Sequence, residues 1–285
     1  MKRTGIFHHE LLSERTWDII LDKLKNLGKI VRDFQKRYPD RIFLYEEKPV
    51  DEELLLKVHT KSMLETVKHY HNYEAGIRVA DGCVRAAEKI WKGEIDNAFL
   101  TLTCCHHAGP DYAWGGCTVS GAGPMVVYMR ERYNVRRFAI IDTDSHHGDG
   151  TRALFLNDRE ILHVCFCSTD RVEGDGYKID VDVGYNTTDE EYLEKVRRVF
   201  FPKAEEFKPD FIFHILGHDC ARGDYGDRGL SWDFFPRLVR EVKELAEKIC
   251  SGRYIVGLGG GSRSDIAEYI TPPIIRILAE IEDTQ

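Results

Sequence analysis

Between residues 142 and 149 the chain reads DTDSHHGD, which places three aspartates and two histidines in eight positions directly after the apolar run 138–141. Charges are rarely buried unless they are paired or bound to a metal, so their place at the end of a core strand needs a chemical reason. Asp144 and His146 stand at i and i+2, and in extended backbone such side chains point the same way. A carboxylate oxygen and an imidazole nitrogen on one side make a two-point grip on a divalent cation. Asp219, just after the apolar run 211–217, can supply a third ligand. Three protein ligands with an open position are the arrangement of a catalytic zinc. Without Asp219, the Asp-x-His pair reads as an ordinary hydrogen-bonded strand end.

His106 and His107 form the second element. Adjacent side chains diverge, so each imidazole needs its own partner. Asp142 sits one step deeper in the strand, where a carboxylate is costly unless a cation or an imidazole meets it. Asp149 lies in HHGDG, where two glycines permit a tight loop. These two aspartates are available to orient the two histidines. An Asp–His pair fixes the tautomer and raises basicity, which suits proton transfer near neutral pH, and a cation beside it would acidify a water. The structural alternatives are a strand-capping His pair and a plain turn carboxylate at Asp149.

Something must bring these segments together. The runs 97–103, 137–144, 160–167, 211–217 and 254–260 are continuously apolar, which suits strands of a parallel sheet covered on both faces. In 234–250, Leu238, Val242, Leu245 and Ile249 recur on one helical face, and in 190–207 Tyr192, Val196, Val199 and Phe200 do the same. The stretches 75–91 and 272–281 are further helix candidates. The expected fold is α/β: one doubly wound, mainly parallel sheet flanked by helices, as a single domain over 1–285. Sites in such sheets form beyond the carboxyl ends of strands. Four runs end in Cys104-Cys105-His106-His107, in Asp142 to Asp149, in Gly217-His218-Asp219 and in Gly259-Gly260-Gly261-Ser262.

Bulk properties exclude other classes. The net charge is −8 and no Lys/Arg-rich run is present, against a nucleic-acid partner. No apolar stretch reaches the roughly 18 residues of a membrane span. The opening MKRTGIFHHELLSERTW lacks the apolar core of a signal peptide, so the expected location is the cytoplasm. None of the eight cysteines forms a CxxC pair, and they read as small buried residues. The acidic, glycine-bearing segment 168–188 reads as a solvated connection or a shaper of the site's mouth. No oligomeric state is legible.

Taken in order, CCHHAGPDYAWGGC, IIDTDSHHGDG, LGHDCARGDYGDRGLS and GLGGGS resemble the blocks of the histone deacetylase superfamily, and ELLLKVHTKSML resembles its early segment. The likeness is to the prokaryotic acetoin-utilisation and acetylpolyamine deacetylase branch. It implies the arginase/deacetylase fold and metal-assisted hydrolysis of an N-acyl amide, from a small molecule or an acyl-lysine. It implies zinc, or another divalent cation, on Asp144, His146 and Asp219. His106 and His107 match the proton-transfer pair, with Asp142 behind the first and Asp149 behind the second. A structural monovalent cation, potassium or sodium, is implied near the metal-bearing strand. His147 is left a supporting or loop-fixing part.

Three departures stand out. The glycine-rich block ends in Ser262 where the family has a Tyr that stabilises the oxyanion, and losing such a donor costs about a hundredfold to a thousandfold in rate. Tyr112 and Arg263 are candidate substitutes. The family's Phe, one wall of its acyl-lysine tunnel, is Gly116, and CSTDRVEGDGYK replaces the segment bearing the other wall. Both changes predict a wider, more polar pocket. Two rival readings are a metal-bearing binding or regulatory protein with little turnover, which rests on Ser262, and an arginase-like ureohydrolase, which needs two metals.

Overall fold

A computed structural model describes residues 2–102 and 105–282, so Cys104 and the end of the first apolar run lie outside the described residues. Among the described residues the strands are β1 (Thr4–Phe7), β2 (Ile42–Tyr45), β3 (Asn97–Leu100), β4 (Phe138–Asp142), β5 (Ile161–Cys167), β6 (Arg171–Glu173), β7 (Lys178–Asp182), β8 (Phe211–Leu216) and β9 (Tyr254–Leu258). They form one sheet in the order β2-β1-β3-β9-β8-β4-β5-β7-β6. Every pairing is parallel except β6 with β7.

The described helices are α1 (Leu12–Arg15), α2 (Asp18–Leu24), α3 (Leu27–Arg37), α4 (Glu52–Leu56), α5 (Lys61–Val67), α6 (Tyr73–Trp91), α7 (Ala122–Tyr133), α8 (Asp149–Phe155), α9 (Asp189–Phe207), α10 (Phe234–Cys250) and α11 (Ser264–Ala279). They cover both sheet faces, which is why the central strands are continuously apolar. Along β4, Phe138 and Ile140 pack into a cluster with residues of α4, α6, α7 and α8. Ala139 and Ile141 pack into the opposite cluster with α2, α3, α9, α10 and α11. Phe138, Ile140 and Ile141 are fully buried, and each side chain contributes roughly 1.5–3 kcal/mol of transfer free energy.

The α/β class and the doubly wound, mainly parallel sheet are as expected. The edges are not. β1, β2, β6 and β7 were unanticipated, and segment 168–188 is no solvated connection, since it carries β6, a 3-10 turn (Gly174–Gly176) and β7. Strands β1, β2 and β6, of three or four residues each, are too short to show a pattern. The predicted helix 272–281 is the second half of α11, which runs through Pro272 and Pro273. Burial of Ile266, Ile270, Ile274 and Leu278 outweighs the backbone bonds those prolines remove.

One feature of the strand order matters most for the site. β3, β9, β8 and β4 are consecutive neighbours, so the four segments that follow them emerge side by side on one rim.

Candidate active site

β4 ends at Asp142, and the chain then turns. The Asp144 N–H donates to Asp142 Oδ1 at 3.2 Å and the His146 N–H donates to Asp144 Oδ1 at 3.0 Å. The Asp144–His146 grip therefore comes from a carboxylate-closed turn and not from the extended backbone expected. His146 Nδ1 lies 3.0 Å from Asp144 Oδ1 and 3.0 Å from Asp219 Oδ2. One donor atom from each of the three residues falls within 4.8 Å of the others.

Both carboxylates are buried, and their recorded ion pairs are with histidines alone among the described residues. Backbone N–H groups hold them in place: Gly260 donates to Asp144 Oδ2 at 2.7 Å and Ser145 to Asp219 Oδ1 at 3.2 Å. A side chain at Gly260 would strike Asp144, which explains the glycine. Hydrogen bonds to Asp144 and Asp219 raise the His146 pKa to about 10. Two carboxylates that hold a proton so firmly exert the same pull on a divalent cation, which takes the proton's place on the nitrogen. The donor set, its convergence and its excess negative charge all fit a divalent metal.

Beside this triad stand two His–Asp pairs. His106 Nδ1 lies 2.8 Å from Asp142 Oδ2, and His107 Nδ1 lies 2.5 Å from Asp149 Oδ1. An ionised carboxylate only accepts, so each Nδ1 carries a hydrogen and each Nε2 is left for other work. Burial opposes charge on His106, but Asp142, Asp144 and Asp219 outweigh it and raise its pKa to about 10. His107 is pushed the other way, by burial first and by His106 second. The Trp114 ring lies 3.9 Å from that of His107, and its indole N–H donates to Asp149 Oδ2 at 2.9 Å.

His59 lies in the ELLLKVHTKSML segment, where its type and spacing carry no signal of a task. It is buried, with Nδ1 2.8 Å from the Gly109 carbonyl and Nε2 accepting the Ser120 N–H at 3.0 Å. It ties both ends of the loop that follows His106 and His107. Lys23 was also missed; its buried ammonium donates to the Gly259 carbonyl and braces the glycine-rich segment.

A cavity of about 200 Å³ opens on the triad, lined by His106, His107, Asp144 and His146 and by Trp17, Ile20, Val79, Leu102, Trp114 and Tyr225. Ser262 is not among its lining residues. Its hydroxyl donates to Asp224 Oδ1 at 2.7 Å and its N–H donates to the same carboxylate. Arg263 pairs with Asp265, and Tyr112 packs on Gly109 beside Asp149. The group at the triad is Tyr225. Its hydroxyl accepts the Gly261 N–H at 3.0 Å, and a methyl at Gly260 would come within 2.8 Å of it.

The expectation of a more polar pocket is corrected, and at Gly116 so is that of a wider one. Gly116 has φ +75°, and a side chain there would strike the Trp17 indole. Trp17, just before α2, fills the space that Gly116 leaves. With Trp114 on the other side, the cavity has aromatic walls and a mostly apolar lining.

The sequence matches the histone deacetylase domain over residues 13–278. The chain belongs to the histone deacetylase family. It is 27% identical to a "Probable deacetylase" of Archaeoglobus fulgidus, over 90% of this chain and 81% of that protein. It is 28% identical to the "Histone deacetylase-like amidohydrolase" of Pseudomonas aeruginosa, over 78% of this chain and 66% of that one. In three dimensions it is similar to the crystal structure of the HDA15 HD domain, with a TM-score of 0.85, 20% identity, and coverage of 98% of this chain and 90% of that one. This last likeness bears on the fold of the family member and not on its substrate. Among the described residues no helix is long and apolar enough to cross a membrane.

Proposed function

We propose that this family member is a metal-dependent deacylase that hydrolyses the N-acyl amide of a small molecule or an acyl-lysine. The observation that carries the reading is the convergence of Asp144, His146 and Asp219 beside two histidines, each backed by its own aspartate, on one apolar cavity. Zinc suits two carboxylates and an imidazole with room for further ligands.

A divalent cation held by Asp144, His146 and Asp219 would act as a Lewis acid toward the acyl carbonyl and an adjacent water. His107, kept neutral by burial and by its neighbour, has Nε2 free to take the water's proton and to pass it to the leaving amine. Asp149 holds the tautomer that makes this possible, and Trp114 keeps the ring in plane. His106, clamped by Asp142, presents a second imidazole to the charge that develops. Tyr225 supplies what Ser262 cannot. Its proton is claimed by no acceptor among the described residues, and it donates to the oxyanion. The apolar lining suits an uncharged acyl chain.

The test is metal analysis of the purified protein, followed by a screen of N-acyl amides. Turnover should fall on chelation, return with zinc, and vanish in Asp144→Ala. Equal turnover in Asp144→Ala would sink the reading. Metal binding without turnover on any acyl substrate would favour a binding or regulatory role, and turnover of a guanidino compound with release of urea would favour an arginase-like ureohydrolase.

A further inference from the structure

His147 turns away from the cavity. Its Nδ1 lies 3.3 Å from Asp180 Oδ1 on β7 and 3.9 Å from Cys167 Sγ on β5. The parallel β5–β7 register sets Cys165 opposite Asp180, and Cys167 stands two residues on, so both thiols share a face with that carboxylate. One donor atom from each of His147, Cys165, Cys167 and Asp180 falls within 4.8 Å of the others. Both cysteines are fully buried and free of disulfides, and Asp180 is 3% exposed.

Two thiols, an imidazole and a carboxylate are zinc's own ligand types. Zinc bonds of about 2.0–2.3 Å place tetrahedral donors roughly 3.3–3.8 Å apart; the His147–Asp180 separation is 3.3 Å and the His147–Cys167 separation, at 3.9 Å, is slightly longer. Thiolates are soft donors, so this is no place for the hard monovalent cation of the family.

The charges are compatible with a dication. Two thiolates and a carboxylate carry three negative charges. Zinc supplies two positive charges, and the buried Arg152 supplies the third, with Nη2 2.5 Å from Asp180 Oδ1. A buried set must be close to neutral; with neutral thiols Arg152 balances Asp180, and with thiolates a dication restores the balance. A salt bridge alone explains Arg152 and Asp180, but not two buried thiols whose sulfurs lie within 4.8 Å of the same imidazole and carboxylate.

We propose that His147, Cys165, Cys167 and Asp180 form a second, structural zinc site, separate from the cavity. Four protein ligands leave no open position, which marks a structural role and not a catalytic one. Binding releases the two thiol protons. His147 lies between His146 and Asp149, so a metal on it fixes the turn that presents both to the cavity.

Metal stoichiometry and the absorption spectrum of the cobalt(II)-loaded chain test this. The wild type should hold two metals per chain and show thiolate-to-cobalt charge-transfer absorption. Asp144→Ala should lose one equivalent and keep that absorption; Cys165→Ser/Cys167→Ser should lose one equivalent and the absorption with it. If the cysteine variant does not fold, the wild type and Asp144→Ala still decide the matter. A single metal without thiolate absorption would overturn the site, and so would two metals without it, which would place both in the cavity. If the cavity triad held no metal, the wild type would still show one equivalent with the thiolate absorption, so the two readings fail separately.

Discussion

A hydroxyl proton not already given to a carboxylate is what separates Tyr225 from Ser262. Burial pushes the Tyr225 pKa above the ordinary value, and even an ordinary phenol keeps its proton near neutral pH. Ser262 is spent on Asp224. Tyr225→Phe should therefore lower kcat about a hundredfold to a thousandfold, the usual effect of deleting an oxyanion donor, with KM little changed. Ser262→Ala should stay within a few-fold of wild type. Steady-state kinetics on one acyl substrate checks both, and wild-type turnover in Tyr225→Phe would place the donor elsewhere. Asp142, Asp144, His146, Asp149, His106, His107 and Asp219 were readable because their types and spacings limit what they can do. Tyr225 lies in LGHDCARGDYGDRGLS, where nothing in its spacing signals a role. A motif tests the residue at one place in the chain, and here the hydroxyl arrives from the loop after β8 and not from the glycine run after β9. His147 was left without a definite task for the same reason, since its partners are strands β5 and β7.

At the scale of elements, the α1–α2 junction replaces a wall that sequence comparison declares missing. Trp17 occupies the space above Gly116 and limits the cavity beside the triad. Trp17→Ala should enlarge it and shift acyl preference. The ratio of kcat/KM for acetyl over a longer acyl amide should fall by about tenfold or more, since one methylene in an apolar pocket is worth about 1–3 kcal/mol. An unchanged ratio would show that the acyl group lies elsewhere. Gly116→Ala should cost stability as well as activity, because it meets both the indole and a left-handed backbone; thermal unfolding measures the first and kinetics the second. Strand β7 was legible in principle, as Lys178-Ile179-Asp180-Val181-Asp182 alternates with period two. Its acidic composition pointed to solvent instead, yet Asp180 is buried against Arg152.

Over the whole molecule, the central strands were readable because helices on both faces force unbroken apolar runs, and α9 and α10 because each keeps one apolar face. The margin of the sheet was not, and it holds an ionisable group that no motif announces. Glu47, just past the edge strand β2, is 1% exposed, and neither carboxylate oxygen has a hydrogen-bond partner among the described residues. It is packed against Gly82 of α6, where a side chain would come within 2.7 Å of it. Burial first, then Asp81, push its pKa well above the ordinary carboxyl value, against Arg85 and Arg78. The sign follows from linkage. The folded state holds this proton more tightly than the unfolded chain, whose glutamate ionises near pH 4.3. Below that pH both states are protonated and the group costs nothing. As pH rises, the unfolded chain gains by ionising while the folded one resists, so stability falls until the folded group itself titrates. Glu47→Gln removes that loss. The variant should melt at a higher temperature than wild type at about pH 8 and close to it at about pH 4. Thermal unfolding of both proteins at the two pH values isolates Glu47, because every other titrating group is shared. An equal difference at both would mean that the carboxyl is not held neutral in the fold.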